Sequence, residues 1–118
     1  MLLTMLRLAF SLLFLALVAP VGYASAQEAA TVSANREREL VRLVRQDCGS
    51  CHGMLLTGGL GLALTPEALR EKPLEGLVAT VLYGRPGTAM PPWKTIISEK
   101  EAMWIVQRLM AGFPKEEG

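Results

Sequence analysis

Five consecutive residues, Cys48-Gly49-Ser50-Cys51-His52, constrain this chain of 118 residues more than any other feature. C-x-x-C-H is the pattern that attaches haem covalently: each thiol adds to a vinyl group to give a thioether, and the adjacent imidazole coordinates the iron. Two cysteines three residues apart on one helical turn reach one edge of the macrocycle. The histidine directly after them lies under the iron, and Gly49 and Ser50 are small enough for close haem approach. Two other readings of the cysteine pair compete. A thiol oxidoreductase with a Cys48–Cys51 disulfide would place the motif after a strand, whereas residues 36–47 ahead of it read as helix. A zinc site needs further Cys or His ligands, and the sequence has none beyond these three residues. The expected cofactor is therefore one covalently attached haem c, held by Cys48 and Cys51, with His52 as an axial iron ligand.

What holds the other side of the iron decides the chemistry. Five-coordinate haem reacts with small ligands, while a sixth protein ligand suppresses that reactivity and favours electron transfer. His52 is the single histidine, so a bis-histidine site within one chain is excluded and methionine is the expected soft donor. Met54 follows His52 too closely to cross to the opposite haem face. Met103 and Met110 fall in an expected helix, where they read as adaptable core fillers. Met90 lies in Gly84-Arg85-Pro86-Gly87-Thr88-Ala89-Met90-Pro91-Pro92-Trp93, an extended loop whose Gly and Pro residues resist helix and can hold a thioether in place. The axial iron ligands expected are His52 and Met90. No distal acid or base is then left for catalysis at the haem, so the chain reads as a carrier and not an enzyme.

Apolar residues are unevenly spread: 20 of the first 26 are apolar, against 40 of the remaining 92. Residues 1–26 comprise a short start with Arg7, an apolar run from Leu8 to Val18, and Ala24-Ser25-Ala26 after Pro20 and Gly22, the three parts of a secretory signal peptide. The rival is an uncleaved anchor, but the apolar run stops short of the roughly 20 residues a spanning helix needs. No stable membrane insertion is expected after cleavage, and no cysteine at the cut suggests a lipoprotein. Residues 27–118 form a single domain with 11 basic and 11 acidic side chains, which leaves no electrostatic footprint for nucleic acid. A domain this small often leans on a prosthetic group for stability.

The pattern is all-α. Leu40, Leu43, Val44 and then Cys48 keep one face of a helix that runs into the haem motif, with Arg36, Glu37, Arg38, Glu39, Arg42 and Arg45 as its solvated face. Thr65-Pro66 opens a short helix, and Leu77, Val78, Val81 and Leu82 mark another that Gly84 stops. Ser98-Glu99-Lys100-Glu101 is a capping box before Ala102, Ile105, Val106, Leu109 and Met110, and Gly112 with Pro114 ends that helix. Residues 27–34 carry no period and read as a mobile leader. Gly58-Gly59-Leu60-Gly61 lacks the preceding strand and third glycine of a nucleotide loop and reads as backbone approaching the haem edge. Tyr83 reads as core. Trp93 has two comparable readings, hydrogen bonding to a haem propionate or packing beside the haem. Arg85 and Lys94 flank the Met90 loop, either as solvated charges or as a steering site for an acidic partner.

From about residue 36 to 111 this order resembles the class I c-type cytochromes: helix, C-x-x-C-H, short middle helices, Met-Pro loop and terminal helix. The resemblance implies that the first and last helices cross beside the covalently bound haem. Gly58 to Leu64, Thr65-Pro66-Glu67-Ala68-Leu69 and above all Gly84 to Trp93 are similar to the small periplasmic monohaem cytochromes encoded beside the cytochrome cd-type nitrite reductase of denitrifying bacteria. That likeness implies a periplasmic carrier cycling between Fe(III) and Fe(II). Its partners would be that nitrite reductase or a quinol-linked electron donor; the alternative is an accessory role in maturing the reductase's d-type haem. Many such relatives have Pro where Leu62 stands, its carbonyl accepting the histidine ring N–H, a role a leucine carbonyl can fill from a less fixed loop. They also often carry an aromatic where Arg108 aligns, a packing role for which Trp104 is the available substitute.

Overall fold

The computed structural model describes residues 32–116, so the signal peptide expected over residues 1–26 lies outside the described residues. Every regular element among those residues is helical. Helix α1 (Ala34–Leu43) opens at Ser33, whose side chain accepts from Arg36 N–H. It runs without a break into a π turn (Val44–Cys48) and then α2 (Gly49–His52). Thr65 caps α3 (Pro66–Leu69), with Pro66 in the first turn, where its missing N–H costs no helical bond. Helix α4 (Leu74–Tyr83) begins after Pro73, three residues earlier than the apolar pattern indicates, and stops at Gly84. Helix α5 (Glu99–Ala111) carries the capping box in both directions: Ser98 Oγ accepts from Glu101 N–H, and Glu101 accepts from Ser98 N–H.

The π turn corrects the expected helix face. Leu40 and Val44 are fully buried, four residues apart, and an uninterrupted α-helix would carry Cys48 onto the same face. Instead Gly49 N–H bonds to Val44 O, five residues back. The extra residue in that turn rotates everything after it, so Gly49 takes the buried position, Cys48 is left half-buried and Cys51 is exposed. A Cβ on Gly49 would stand 3.4 Å from Met54 Cα, tight against the backbone that follows α2.

Leu40 and Val44 share one buried cluster with Leu69 of α3, Val78 and Leu82 of α4, and Ala102, Trp104, Ile105, Val106 and Leu109 of α5. Truncating the fully buried Leu40 to Ala costs about 2–5 kcal/mol by the usual cavity penalty. Met103 and Met110 pack at its margin. Tyr83 does not: it is 57% exposed. The stripe of α4 runs through Val78 and Leu82, and the next residue is turned about 100° away from it.

The charged face of α1 is less solvated than its pattern suggests. Arg36 Nε donates to Glu101 Oε1 at 2.5 Å and Arg36 also pairs with Glu39 at 2.8 Å. Glu37 accepts from Trp104 Nε1 at 3.1 Å, and Arg108 stacks 5.3 Å over the Trp104 ring. These bonds join the start of the first helix to the start of the last. Arg45 leaves the π turn to donate to Met54 O at 3.3 Å, Phe113 O at 3.0 Å and Pro114 O at 2.7 Å, and lies 5.5 Å over the Phe113 ring.

Arg36 chiefly, with the Ser98 amide and hydroxyl, holds the Glu101 carboxyl below the usual carboxylate range. A carboxylate whose folded value is depressed contributes stability that is complete above its unfolded value and is lost as pH falls through the folded one. Urea midpoints of the wild type should therefore fall as pH drops below about 4.3, the ordinary glutamate value. Glu101→Gln should be less stable at neutral pH and should lose less on acidification; parallel pH profiles would refute the assignment.

Candidate haem-attachment site

Cys48, Cys51 and His52 lie on one continuous stretch of helix, with both thiols free. Burial, reinforced by the neighbouring Asp47 charge, pushes the Cys48 thiol up to about 11. Thiol oxidoreductases need the opposite shift, toward thiolate, so the electrostatics agree with the helical context in opposing that reading. Among the described residues no group of three or more His, Cys, Asp or Glu is placed to hold a bare metal ion.

The histidine is pinned on one side only. His52 Nδ1 lies 2.6 Å from Leu62 O. A carbonyl can only accept, so Nδ1 carries the proton and Nε2 presents its lone pair, the tautomer an iron ligand needs. The loop that supplies Leu62 is folded back on the end of α2. Gly58 N–H donates to His52 O at 2.8 Å, Gly61 N–H to Cys51 O at 2.7 Å, and Leu64 N–H to Leu56 O at 2.8 Å. Its glycines have a more immediate reason than the haem edge: a Cβ on Gly61 would sit 2.7 Å from His52 Cε1 and Nδ1, and one on Gly59 2.8 Å from Cys51 O. The ring lies close against the bare backbone of Gly61. Leu56, buried beneath the loop, takes a left-handed φ of 61°, a strain normally left to glycine.

Met90 is half-buried on the separate loop after α4, and no hydrogen bond joins it to α2 among the described residues. Gly84 turns the chain at φ 68°, and a Cβ there would strike Met90 O at 2.7 Å. Arg85 N–H closes the loop onto Met90 O at 3.2 Å; Trp93 and Lys94 N–H bond back to Leu82 O at 3.1 and 3.0 Å. Thr88 lies between them, its hydroxyl donating to Arg85 O at 2.7 Å and accepting from Met90 N–H at 3.3 Å. Neither Thr88 nor Gly61 stands out in the sequence as a site residue. The sequence signal for Thr88 is a short hydroxyl side chain two residues before the candidate ligand in a Pro-Gly turn. For Gly61 the glycine-rich run signals a close backbone approach, and only the fold shows that what it approaches is the His52 ring. Met54 is exposed, Trp93 packs against the core, and Lys94 Nζ stands 5.1 Å over the exposed Tyr83 ring.

The two thiols and the imidazole with Nε2 left free are the groups that covalent haem attachment needs, and the glycine loop that orients the imidazole fits that role. Gly61→Ala should displace the His52 ring from Leu62 O and destabilise the protein by about 1–3 kcal/mol. Thermal unfolding and a haem-content assay would check this; full haem loading with wild-type stability would contradict the packing described.

The family model described as Cytochrome C oxidase, cbb3-type, subunit III, matches residues 35–107. Cytochrome c55X of Pseudomonas aeruginosa is 65% identical over 79 residues, covering 67% of this chain and 66% of that protein's length. Among solved structures, a c-type cytochrome NirC superposes with a TM-score of 0.68 at 61% identity, covering 70% of this chain and 96% of that one. A Dihydro-heme d1 dehydrogenase of Pseudomonas aeruginosa is 37% identical over 75 residues, 63% of this chain but only 15% of that protein.

Proposed function

The chain belongs to the c-type cytochromes, a family of electron carriers with covalently bound haem c, and on that premise we propose that it is a periplasmic monohaem donor to a cytochrome cd-type nitrite reductase. The observation that carries the reading is the imidazole with Nδ1 committed to Leu62 O, its Nε2 left to bind, beside two free thiols on the same stretch of helix. Bound haem c supplies one-electron exchange between Fe(III) and Fe(II), with no substrate bond made or broken. Cys48 and Cys51 would hold the group through thioethers, His52, oriented by the Leu62 carbonyl, would ligate the iron through Nε2, and Met90 would supply a thioether ligand, which favours ferrous iron and raises the reduction potential. The nitrite reductase as acceptor rests on the resemblance of the Gly84–Trp93 loop. Export rests on residues 1–26, which leave a mature domain over 27–118.

A second reading draws on the Dihydro-heme d1 dehydrogenase, part of which is similar to this chain. In that reading the carrier exchanges electrons during maturation of the reductase's d-type haem.

Three experiments test the Met90 ligand and separate the two readings. In the first, ferric wild type should show the weak red absorption band of methionine sulfur on haem iron, and Met90→Ala should lose it and have a lower reduction potential. A wild type without the band would remove Met90 as ligand. In the second, ferrous protein is mixed with purified cytochrome cd-type nitrite reductase. Oxidation no faster than that of an unrelated cytochrome would sink the donor reading, and a gene-deletion strain whose reductase lacks d-type haem would support the maturation role.

A further inference from the structure

Both backbone polar groups of Met90 are held inside its own loop. The carbonyl accepts from Arg85 N–H, and the amide N–H donates to the Thr88 hydroxyl at 3.3 Å, while that hydroxyl donates to Arg85 O at 2.7 Å. One hydroxyl thus bridges the two ends of the Arg85–Met90 segment. On the far side Pro91 and Pro92 restrict φ, and the residue before a proline is confined to extended backbone, so Met90 cannot pivot freely there. On the near side stands Gly87, at φ 77° with nothing within 4 Å of where a Cβ would be. Residues 85–89 are exposed, and besides the backbone bonds Thr88 N–H to Arg85 O at 3.0 Å and Arg85 N–H to Met90 O at 3.2 Å, the Thr88 hydroxyl is, among the described residues, the one side-chain group that restrains the tip, tying Met90 N–H to Arg85 O.

We propose that Thr88 is a positioning residue: its hydroxyl, bridging Arg85 O and Met90 N–H, holds the Met90 thioether at the iron and so sets how easily an outside ligand replaces it. The inference deepens the functional reading, since it rests on Met90 as axial ligand. A thioether is a weak donor, and it competes with external ligands through its effective concentration at the iron. Loosening the tether lowers that concentration. Replacement by neutral imidazole breaks one iron–sulfur bond and forms one iron–nitrogen bond, with the iron ferric throughout and no proton or electron exchanged.

The test uses the haem-loaded protein with Thr88→Val, which keeps the side chain's shape without its hydroxyl, and Thr88→Ser, which keeps the hydroxyl. Imidazole is titrated into each ferric protein while the red band is followed. A net hydrogen bond of ordinary strength corresponds to about tenfold in an equilibrium constant. Thr88→Val should therefore bind imidazole about tenfold more tightly than wild type, and Thr88→Ser should match wild type. Exchange of the Met90 amide hydrogen should quicken by a similar factor in Thr88→Val alone. Imidazole affinity in Thr88→Val equal to wild type overturns the proposal, as does a rise of the same size in Thr88→Ser. A wild type lacking the red band overturns the Met90 assignment first, and the Thr88 role with it. Purely structural loss would lower the unfolding temperature of both variants without separating them in imidazole affinity.

Discussion

The imidazole of His52 is committed on one side, where Nδ1 meets the Leu62 carbonyl at 2.6 Å, and the rest of the structure serves to keep that contact in place. A carbonyl that must reach a ring at the end of a helix requires the chain to double back at once. The loop does so by directing the Gly58 and Gly61 amides to the carbonyls that α2 leaves unpaired at His52 and Cys51. Those bonds bring the backbone so close that Gly59 and Gly61 cannot carry a Cβ. One hydrogen bond therefore dictates the tautomer, the free lone pair on Nε2 and the glycine content of a whole segment.

The helix that carries His52 is held by its surroundings as much as by its own bonds. The π turn puts Gly49 in the fully buried position and leaves Cys48 half-buried against the edge of the core and Cys51 exposed, although the helix continues unbroken. Arg45 extends from that turn and gathers Met54, Phe113 and Pro114, which ties the end of the chain to the attachment segment. At the opposite end Arg36–Glu101 and Glu37–Trp104 bind α1 to α5. A domain with so small a core gains from such cross-links between elements distant in sequence, because each restricts the approach of two helices at little cost in buried area.

The two candidate axial ligands are supported in contrasting ways. His52 is set on a helix, with the Gly61 backbone close against its ring. Met90 is set on an extended loop whose order comes from two prolines, one left-handed glycine turn and the hydrogen bonds of Thr88 and Arg85. A strong nitrogen donor on a rigid element and a weak sulfur donor on a tethered loop suit a carrier, which must keep its coordination while the charge on the metal changes.

The amino-acid sequence by itself determined the haem-attachment motif, the all-helical class and the main helix caps and stops, though not where α4 begins. Each of these is written in local signals: C-x-x-C-H, the 3.6-residue apolar period, Ser98 with Glu101, Thr65 with Pro66, and the stops at Gly84 and Gly112. Tertiary structure alone decided the π turn, the exposure of Tyr83, the partners of Arg36 and Arg45, and the reason for Gly61. An apolar period continues smoothly through Cys48, so nothing local reveals that one turn holds an extra residue. A charged residue on a helix face looks solvated until a distant carboxylate or carbonyl arrives beside it. Capping and periodicity act over three or four residues and can be read from order; close approach between segments 9 to 69 residues apart depends on the packed backbone, and only the folded chain supplies it.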